Sequence, residues 1–450
     1  MQKYLLIILL IIFSVVVSCP ADNPKPDDME IPLFIPPDFA GICHSGYSGN
    51  PEREYEMLGE LGAVWLHRDF SWSTIQPSED TRNFLGFDTY VERGNAENKK
   101  IMGMLLYDVN WVHDKFGFSR ERRIREEQLP YYINYAVETV KRYNGKPGSM
   151  GRVDAWLIWN EPDLDRFWKG TKEEFYTLTR ETAAAIRDLD AEEGTATVLI
   201  GGVFSPLASD DWINGLFKSG AMEQVDCVAY HPYSFAPAGA VNVFNNFRKK
   251  IKPYGFADKI WVNEMGYPTF PDKGMIPPGR YGTDQYEGDM PEVAVKTFTL
   301  LASAGAKNLT WYHLFDGASR DNADSEAWFG LVWRQNDDNW TRKGGYWGYS
   351  LCAKNIPGKT YIDKSFFTGS VPSNIDSYYF EGNGTNHTLV VWNNSPLRSA
   401  EVTISLNGNN HTLWDPETGE SVSIESTSSH TLYPINTYQK TLVFLTWQDQ

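Results

Sequence analysis

The sequence predicts an α/β protein: a (β/α)8 TIM barrel over residues 38–358, followed by an antiparallel β-sandwich domain over 359–450. Three observations predict it. From Phe39 to about Pro357, short β-rich runs alternate with longer amphipathic segments. Two of those β-rich runs end on a glutamate, at Glu161 and Glu264. After Pro357 the texture changes to short alternating runs separated by turn signals such as Asn407-Gly408. Eight β/α units in this length suit a closed parallel barrel. An open doubly wound sheet calls for a glycine-rich phosphate loop after an early strand, and the sequence has none.

Taken in order, the chain opens on an address. Lys3 precedes an apolar stretch from Tyr4 to Val17 that is short for a membrane span. Val16-Val17-Ser18-Cys19 reads as a bacterial lipoprotein cleavage box. Residues 1–18 are then a signal peptide, Cys19 the lipidation site, and 19–37 a solvated tether rich in Pro and Asp. An ordinary secretory signal is the competing reading. Either way the protein is expected to be exported, and the lipid anchor would be its one membrane contact.

Barrel strands are expected at 40–43, 63–69, 101–107, 155–159, 197–203, 225–230, 259–263 and 308–313. Helical spacing of apolar residues marks 132–143, 172–188 and 291–302, the second introduced by Thr171 as N-cap. Sandwich strands are expected at 388–392, 401–406 and 441–447.

Composition narrows the function. A formal charge of -17 disfavours nucleic acid and other polyanions, and favours neutral or cationic partners. Tryptophan (16), tyrosine (24) and phenylalanine (24) are abundant, as in sugar-binding clefts, although aromatic rings also fill cores. Beyond Cys19 the cysteines are Cys43, Cys227 and Cys352. An odd number in apolar contexts argues for buried free thiols rather than a disulfide framework. No residue set suggests a metal or an organic cofactor.

The stretch AWLIWNEPDLDRFW, residues 155–168, carries an apolar run into an amide and a carboxylate at Asn160 and Glu161. A buried charge is costly unless it is paired, solvated or used. At the C-terminal end of a barrel strand, a polar residue faces the active-site mouth. KIWVNEMG, residues 259–266, ends the seventh strand in the same way on Glu264. Two carboxylates converging across a barrel mouth are what glycoside hydrolysis requires. One must be protonated to donate to the leaving oxygen and the other ionised to attack, and each negative charge raises the other's pKa.

Trp159-Asn160-Glu161-Pro162 together with Glu264 resembles the signature of the clan A retaining glycoside hydrolases. Within that clan, 154–168 followed by Gly170-Thr171 is similar to glycoside hydrolase family 39, the β-xylosidase and α-L-iduronidase family. So are Val225-Asp226 leading to His231-Pro232-Tyr233, and RDFSWSTIQP at 68–77. The likeness covers most of the barrel, while Asn263-Glu264-Met265-Gly266 resembles other clan A families better.

The resemblance implies Glu161 as acid/base and Glu264 as nucleophile. It implies Asn160 on the sugar 2-hydroxyl, Arg68 keeping Glu264 ionised, Tyr233 donating to Glu264, and His231 near Glu161. Trp311 would floor the first sugar subsite, with His44 close by. Trp168, Trp111 and Trp328 would line further subsites or pack in the core. The implied activity is retaining hydrolysis of a β-linked glycoside, a xyloside or related β-glycan, with no cofactor. A non-catalytic carbohydrate-binding lipoprotein on the same scaffold is the alternative. An α-L-iduronidase type of substrate fits less well, because an anionic sugar sits poorly on so acidic a chain.

Overall fold

The computed structural model describes residues 31–46, 50–270, 289–317, 325–333, 340–382, 386–395, 397–433 and 441–449. Cys19 and the expected signal peptide lie outside the described residues. A two-residue strand, β1 (Leu33–Phe34), comes first. Eight parallel strands then close a barrel: β2 (Ala40–Cys43), β3 (Trp65–Ser71), β4 (Lys100–Leu106), β5 (Ala155–Ile158), β6 (Val198–Phe204), β7 (Cys227–Tyr230), β8 (Ile260–Met265) and β9 (Leu309–Trp311). β9 pairs with β2, so the sheet has no free edge.

Alternate residues divide between two cores, as strand geometry requires. Trp65, Met102, Met104, Ala155, Leu157, Ile200 and Ala229 pack inside the barrel. Leu66, Phe70, Ile101, Leu105, Trp156 and Ile158 point outward against the helices. The helix Lys172–Glu193 begins in a capping box, with Thr171 accepting from the Glu174 N–H and the Glu174 carboxylate accepting from the Thr171 N–H. It runs past the expected end at 188 and stops at Gly194, whose left-handed φ of 64° a glycine supplies cheaply. The helices Leu129–Arg142 and Met290–Ser303 both carry proline in their first turn, where no intrahelical N–H is needed.

The second domain holds β10 (Thr360–Ile362), β11 (Ile375–Glu381), β12 (His387–Asn393), β13 (Ala400–Ser405), β14 (Asn409–Trp414), β15 (Ser421–Ser423), β16 (Thr427–Leu432) and β17 (Leu442–Gln448). Its larger sheet runs β1-β10-β11-β12-β17-β14-β15, and β13 pairs with β16 as a smaller second layer. Tyr379, Leu389, Val391, Val443 and Leu445 face that second layer, meeting Val402, Ile404 and Leu432. The alternate residues Tyr378, Phe380, Val390, Trp392, Leu442 and Phe444 join the core that surrounds the barrel.

Two expectations change. The segment 19–37 is not tether to its end, since Leu33 and Phe34 pair with Tyr361 and Thr360. Cys43 and Cys352 are free and buried as expected, but Cys227 is only partly buried, at the start of β7.

Candidate active site

β5 leaves the barrel through two left-handed residues, Trp159 at φ 66° and Glu161 at φ 38°. Such backbone costs on the order of 1–3 kcal/mol per residue and persists only where packing enforces it. Here the Trp159 indole N–H donates to the Phe167 carbonyl at 3.0 Å, and its ring meets Trp168 edge-on at 5.2 Å. Trp168 is anchored in turn by donating to the Thr171 carbonyl at 2.9 Å. The forced turn brings Asn160 and Glu161 over the barrel mouth. On the far side, the register of β8 against β9 breaks between Val262 and Met265, so the consecutive residues Asn263 and Glu264 both reach the site. Gly266 follows because a Cβ there would clash with the Tyr312 carbonyl oxygen.

His231, fully buried after β7, joins the two sides. Its Nδ1 lies 2.9 Å from Glu161 Oε1 and 3.9 Å from Glu264 Oε1, and its Nε2 lies 3.1 Å from Asn263 Oδ1. The Tyr233 hydroxyl donates to Glu264 Oε1 at 2.8 Å. An amide oxygen only accepts, so Nε2 carries a proton. The Nδ1 contact with Glu161 then holds one shared proton, either as a carboxylic acid donating to Nδ1 or as an imidazolium donating to the carboxylate.

Burial alone would push His231 down, but the Glu264 charge and the hydrogen bond and charge of Glu161 raise it to about 9. Burial pushes the Glu161 carboxyl up, yet the His231 hydrogen bond and charge, followed by Arg166, hold it below its usual value. Glu264 lies above its usual value: burial raises it and the Glu161 charge adds to this, against His231, His44 and the Tyr233 hydroxyl. These directions invert the simple picture of a raised acid and a lowered nucleophile. The reason is the shared proton, which belongs to the Glu161–His231 pair rather than to either residue.

Of the expected site residues, Asn160, Glu161, His231, Tyr233 and Glu264 come together. Asn160 is buried, and among the described residues its Oδ1 has no partner. Such an atom costs about 1–3 kcal/mol unless a ligand donates to it. His44 is beside them, close enough for its charge to act on Glu264, with its ring edge-on to Tyr312 at 5.6 Å.

Three expectations are corrected. Arg68 lies on the outward face of β3, its guanidinium 5.0 Å from the Phe87 ring centre and 4.5 Å from that of Tyr90. The side chains that oppose the effect of burial on Glu264 are His231, His44 and the Tyr233 hydroxyl. Trp311 is fully buried and packs outward against Tyr349 at 5.8 Å, so it floors no sugar subsite. Trp168 is 2% exposed and holds the β5 turn from within. Trp111 donates to the Gln76 carbonyl at 3.0 Å, and Trp328 packs with Phe270 and Trp333.

Sequence reasoning missed the neighbours that do face inward. On β3 these are His67, 3.1 Å from the Cys43 thiol, and Asp69, in register with the interior Met104. Burial pushes the Asp69 carboxyl up, against the charges of His44 and Arg68. Period-two counting from the interior Trp65 would have selected both. Tyr312, one residue past Trp311, and Arg166, 3.4 Å from Glu161 Oε2, carried no comparable signal.

The closed (β/α)8 barrel with its second β domain is also the fold of solved structures that the chain resembles, several of them glycoside hydrolases. One is a family 39 glycoside hydrolase from the gut symbiont Bacteroides cellulosilyticus WH2, with TM-score 0.69, 17% identity, and 92% of this chain and 81% of that one covered. A monomeric β-xylosidase from Caulobacter crescentus CB15 gives TM-score 0.63 at 14% identity, covering 93% of this chain and 97% of that one. A family 30 subfamily 8 xylanase from Clostridium acetobutylicum gives 0.60 at 12% identity, covering 92% and 96%. In sequence, a β-xylosidase from Geobacillus stearothermophilus is 28% identical over 27% of this chain and 26% of that protein, so the match spans about a quarter of the relative's length. No family model matches the chain.

Proposed function

We propose that the protein is a retaining glycoside hydrolase that cleaves β-linked glycosides, xylosides or related β-glycans, by double displacement. The observation that supports it best is the shared His231 nitrogen, 2.9 Å from Glu161 and 3.9 Å from Glu264. The nearest carboxylate oxygens are therefore no farther apart than those two distances together. That bound is compatible with the retaining separation of about 5–5.5 Å and leaves out all but the narrow end of the inverting range of about 6.5–9.5 Å. The likeness to β-xylosidases in fold and over part of the sequence supports the substrate class.

In the first half-reaction Glu264 attacks the anomeric carbon while the proton held between Glu161 and His231 passes to the leaving oxygen. Esterification removes the Glu264 charge. The pair, now deprotonated, takes a proton from water as that water attacks the ester. The unpaired Asn160 Oδ1 accepts from a sugar hydroxyl. Tyr233 keeps its hydrogen bond on the attacking carboxylate and so fixes its direction.

Glu264→Ala is expected to abolish hydrolysis, with azide restoring turnover as a glycosyl azide of inverted configuration. Glu161→Ala should spare aryl glycosides with good leaving groups. Product analysis by mass and by NMR of the anomeric centre reads both. Undiminished turnover of natural and activated substrates by the Glu264→Ala protein would sink the assignment.

A further inference from the structure

Beside the catalytic mouth, Arg120, Glu121, Arg122, Asp165, Arg166 and Lys169 line a cavity of about 780 Å³. Four of the six are cations, in a chain whose formal charge is -17. They come from the segment after β4 and from the turn after β5. Asp108, fully buried, accepts from Arg120 Nε at 3.3 Å, from the Arg122 backbone N–H at 2.9 Å, and pairs with His113 Nε2 at 2.9 Å. Arg122 sits at φ 47°. Its guanidinium lies 4.6 Å from the Tyr107 ring centre and 5.8 Å from that of Phe167, two rings stacked on each other at 7°. The Arg122 carbonyl accepts from the Lys169 N–H at 3.1 Å, tying the two segments together.

Cations that only solubilise a surface need no such support. A buried carboxylate, a left-handed residue and a stacked aromatic floor here hold positive charge in place. Among the described residues, neither the Arg122 guanidinium nor the Lys169 ammonium has a carboxylate partner. The Glu121 carboxylate accepts from Arg125 at 2.7 Å, so its charge is paired. Arg166 reaches Glu161 Oε2, the carboxyl oxygen that His231 leaves free. Because that carboxyl delivers its proton to the leaving oxygen, the space on the Arg166 side receives the leaving part of the substrate.

We propose that this cavity is a leaving-group subsite for a negatively charged sugar, one carrying a uronate carboxylate or a sulfate ester. Planar guanidinium groups match both oxyanions, and the Tyr107–Phe167 stack stiffens the Arg122 fork. The inference rests on the reading of Glu161 as acid/base. It qualifies the expectation from net charge, since an acidic protein can carry an anion site where its cations are concentrated.

Three β-linked disaccharides test it, sharing the glycone that aryl glycosides identify and differing in the leaving sugar: glucose, glucuronic acid or glucose 6-sulfate. A charged leaving sugar should raise kcat/KM at least about tenfold over glucose at low ionic strength, and the preference should shrink as salt is added. Arg122→Gln with Lys169→Gln should lower kcat/KM on the charged substrate about tenfold more than on the neutral one. Whichever charged sugar is preferred identifies the source, uronate-bearing or sulfated glycan. Equal kcat/KM for all three in the unaltered protein, or an equal loss on all three in the double variant, would overturn the proposal. Calorimetry of the same disaccharides on the Glu264→Ala protein separates this site from the chemistry. Charge-selective binding there supports the subsite even if no glycoside is turned over, whereas hydrolysis of aryl glycosides without charge-selective binding leaves the hydrolase reading and removes the subsite.

Discussion

At the level of single residues, His231 couples the two carboxylates, and the coupling sets the pH range in which the site can work. In the proposed double displacement Glu264 must be ionised to attack, and burial together with the Glu161 charge raises its pKa, so activity should fall on the acid side as Glu264 takes up a proton. The Glu161–His231 pair must hold its shared proton, which leaves with the imidazole at about 9, so activity should fall again through that pH. Without the imidazole, burial and the Glu264 charge alone would hold the proton on Glu161, and less firmly. His231→Gln is therefore expected to move the alkaline limb of kcat/KM acidward by about one pH unit or more. An alkaline limb that stays in place would show that the proton resides on another group. The pairing of Glu161 with Glu264 was legible because an apolar run ending on a carboxylate is a one-dimensional signal. The choice between Arg68 and Asp69 was not, because period-two counting selects Asp69 only once Trp65 is known to face the barrel interior, and that depends on how β3 is rotated about its axis. His231 was legible only through its resemblance; nothing in its spacing announces a hydrogen bond to Glu161.

Among the elements, the turn from Trp159 to Thr171 decides whether Glu161 is aimed. Two left-handed residues give it a conformation the free chain would avoid, and the buried Trp159–Trp168 pair supplies the compensating packing. Trp168 therefore acts through the turn rather than on a sugar. Trp168→Ala should destabilise the protein by about 3–5 kcal/mol, as truncation of a fully packed aromatic does. Its activity loss should appear in kcat as Glu161 loses its aim. Trp168→Phe keeps most of the ring and should leave KM for oligosaccharides within about twofold, with a smaller loss of stability. Denaturant unfolding and steady-state kinetics check both, and a large KM increase in the Phe variant would return Trp168 to a sugar subsite. The strands were legible to within a few residues, because their apolar runs are short and bounded by turns. The two-residue β1 was not, since Leu33 and Phe34 have no periodicity and find their place only once Thr360 and Tyr361 are beside them.

On the scale of the whole molecule, the β-sandwich is built into the barrel's core. Tyr361, Tyr378, Phe380, Val390, Trp392, Leu442 and Phe444 are each no more than 2% exposed, and all belong to the hydrophobic layer around the barrel. Polar contacts close the same seam: Glu292 Oε1 accepts from the Thr441 N–H at 2.9 Å, and Lys359 Nζ donates to Thr388 Oγ1 at 2.7 Å. Burying a large apolar side chain stabilises by about 1.5–3 kcal/mol, so seven of them contribute on the order of 10 kcal/mol. That rivals the entire net stability of a typical domain, about 5–15 kcal/mol. A barrel ending at residue 358 would expose the helix faces that this layer covers and lose a comparable amount. The full chain is accordingly expected to unfold in a single calorimetric transition, and the chain cut after Gly358 to be unfolded or aggregated. Two resolved transitions in the full chain, or a soluble, active barrel from the shortened one, would show instead that the sandwich is a separate module lying against an independent catalytic domain.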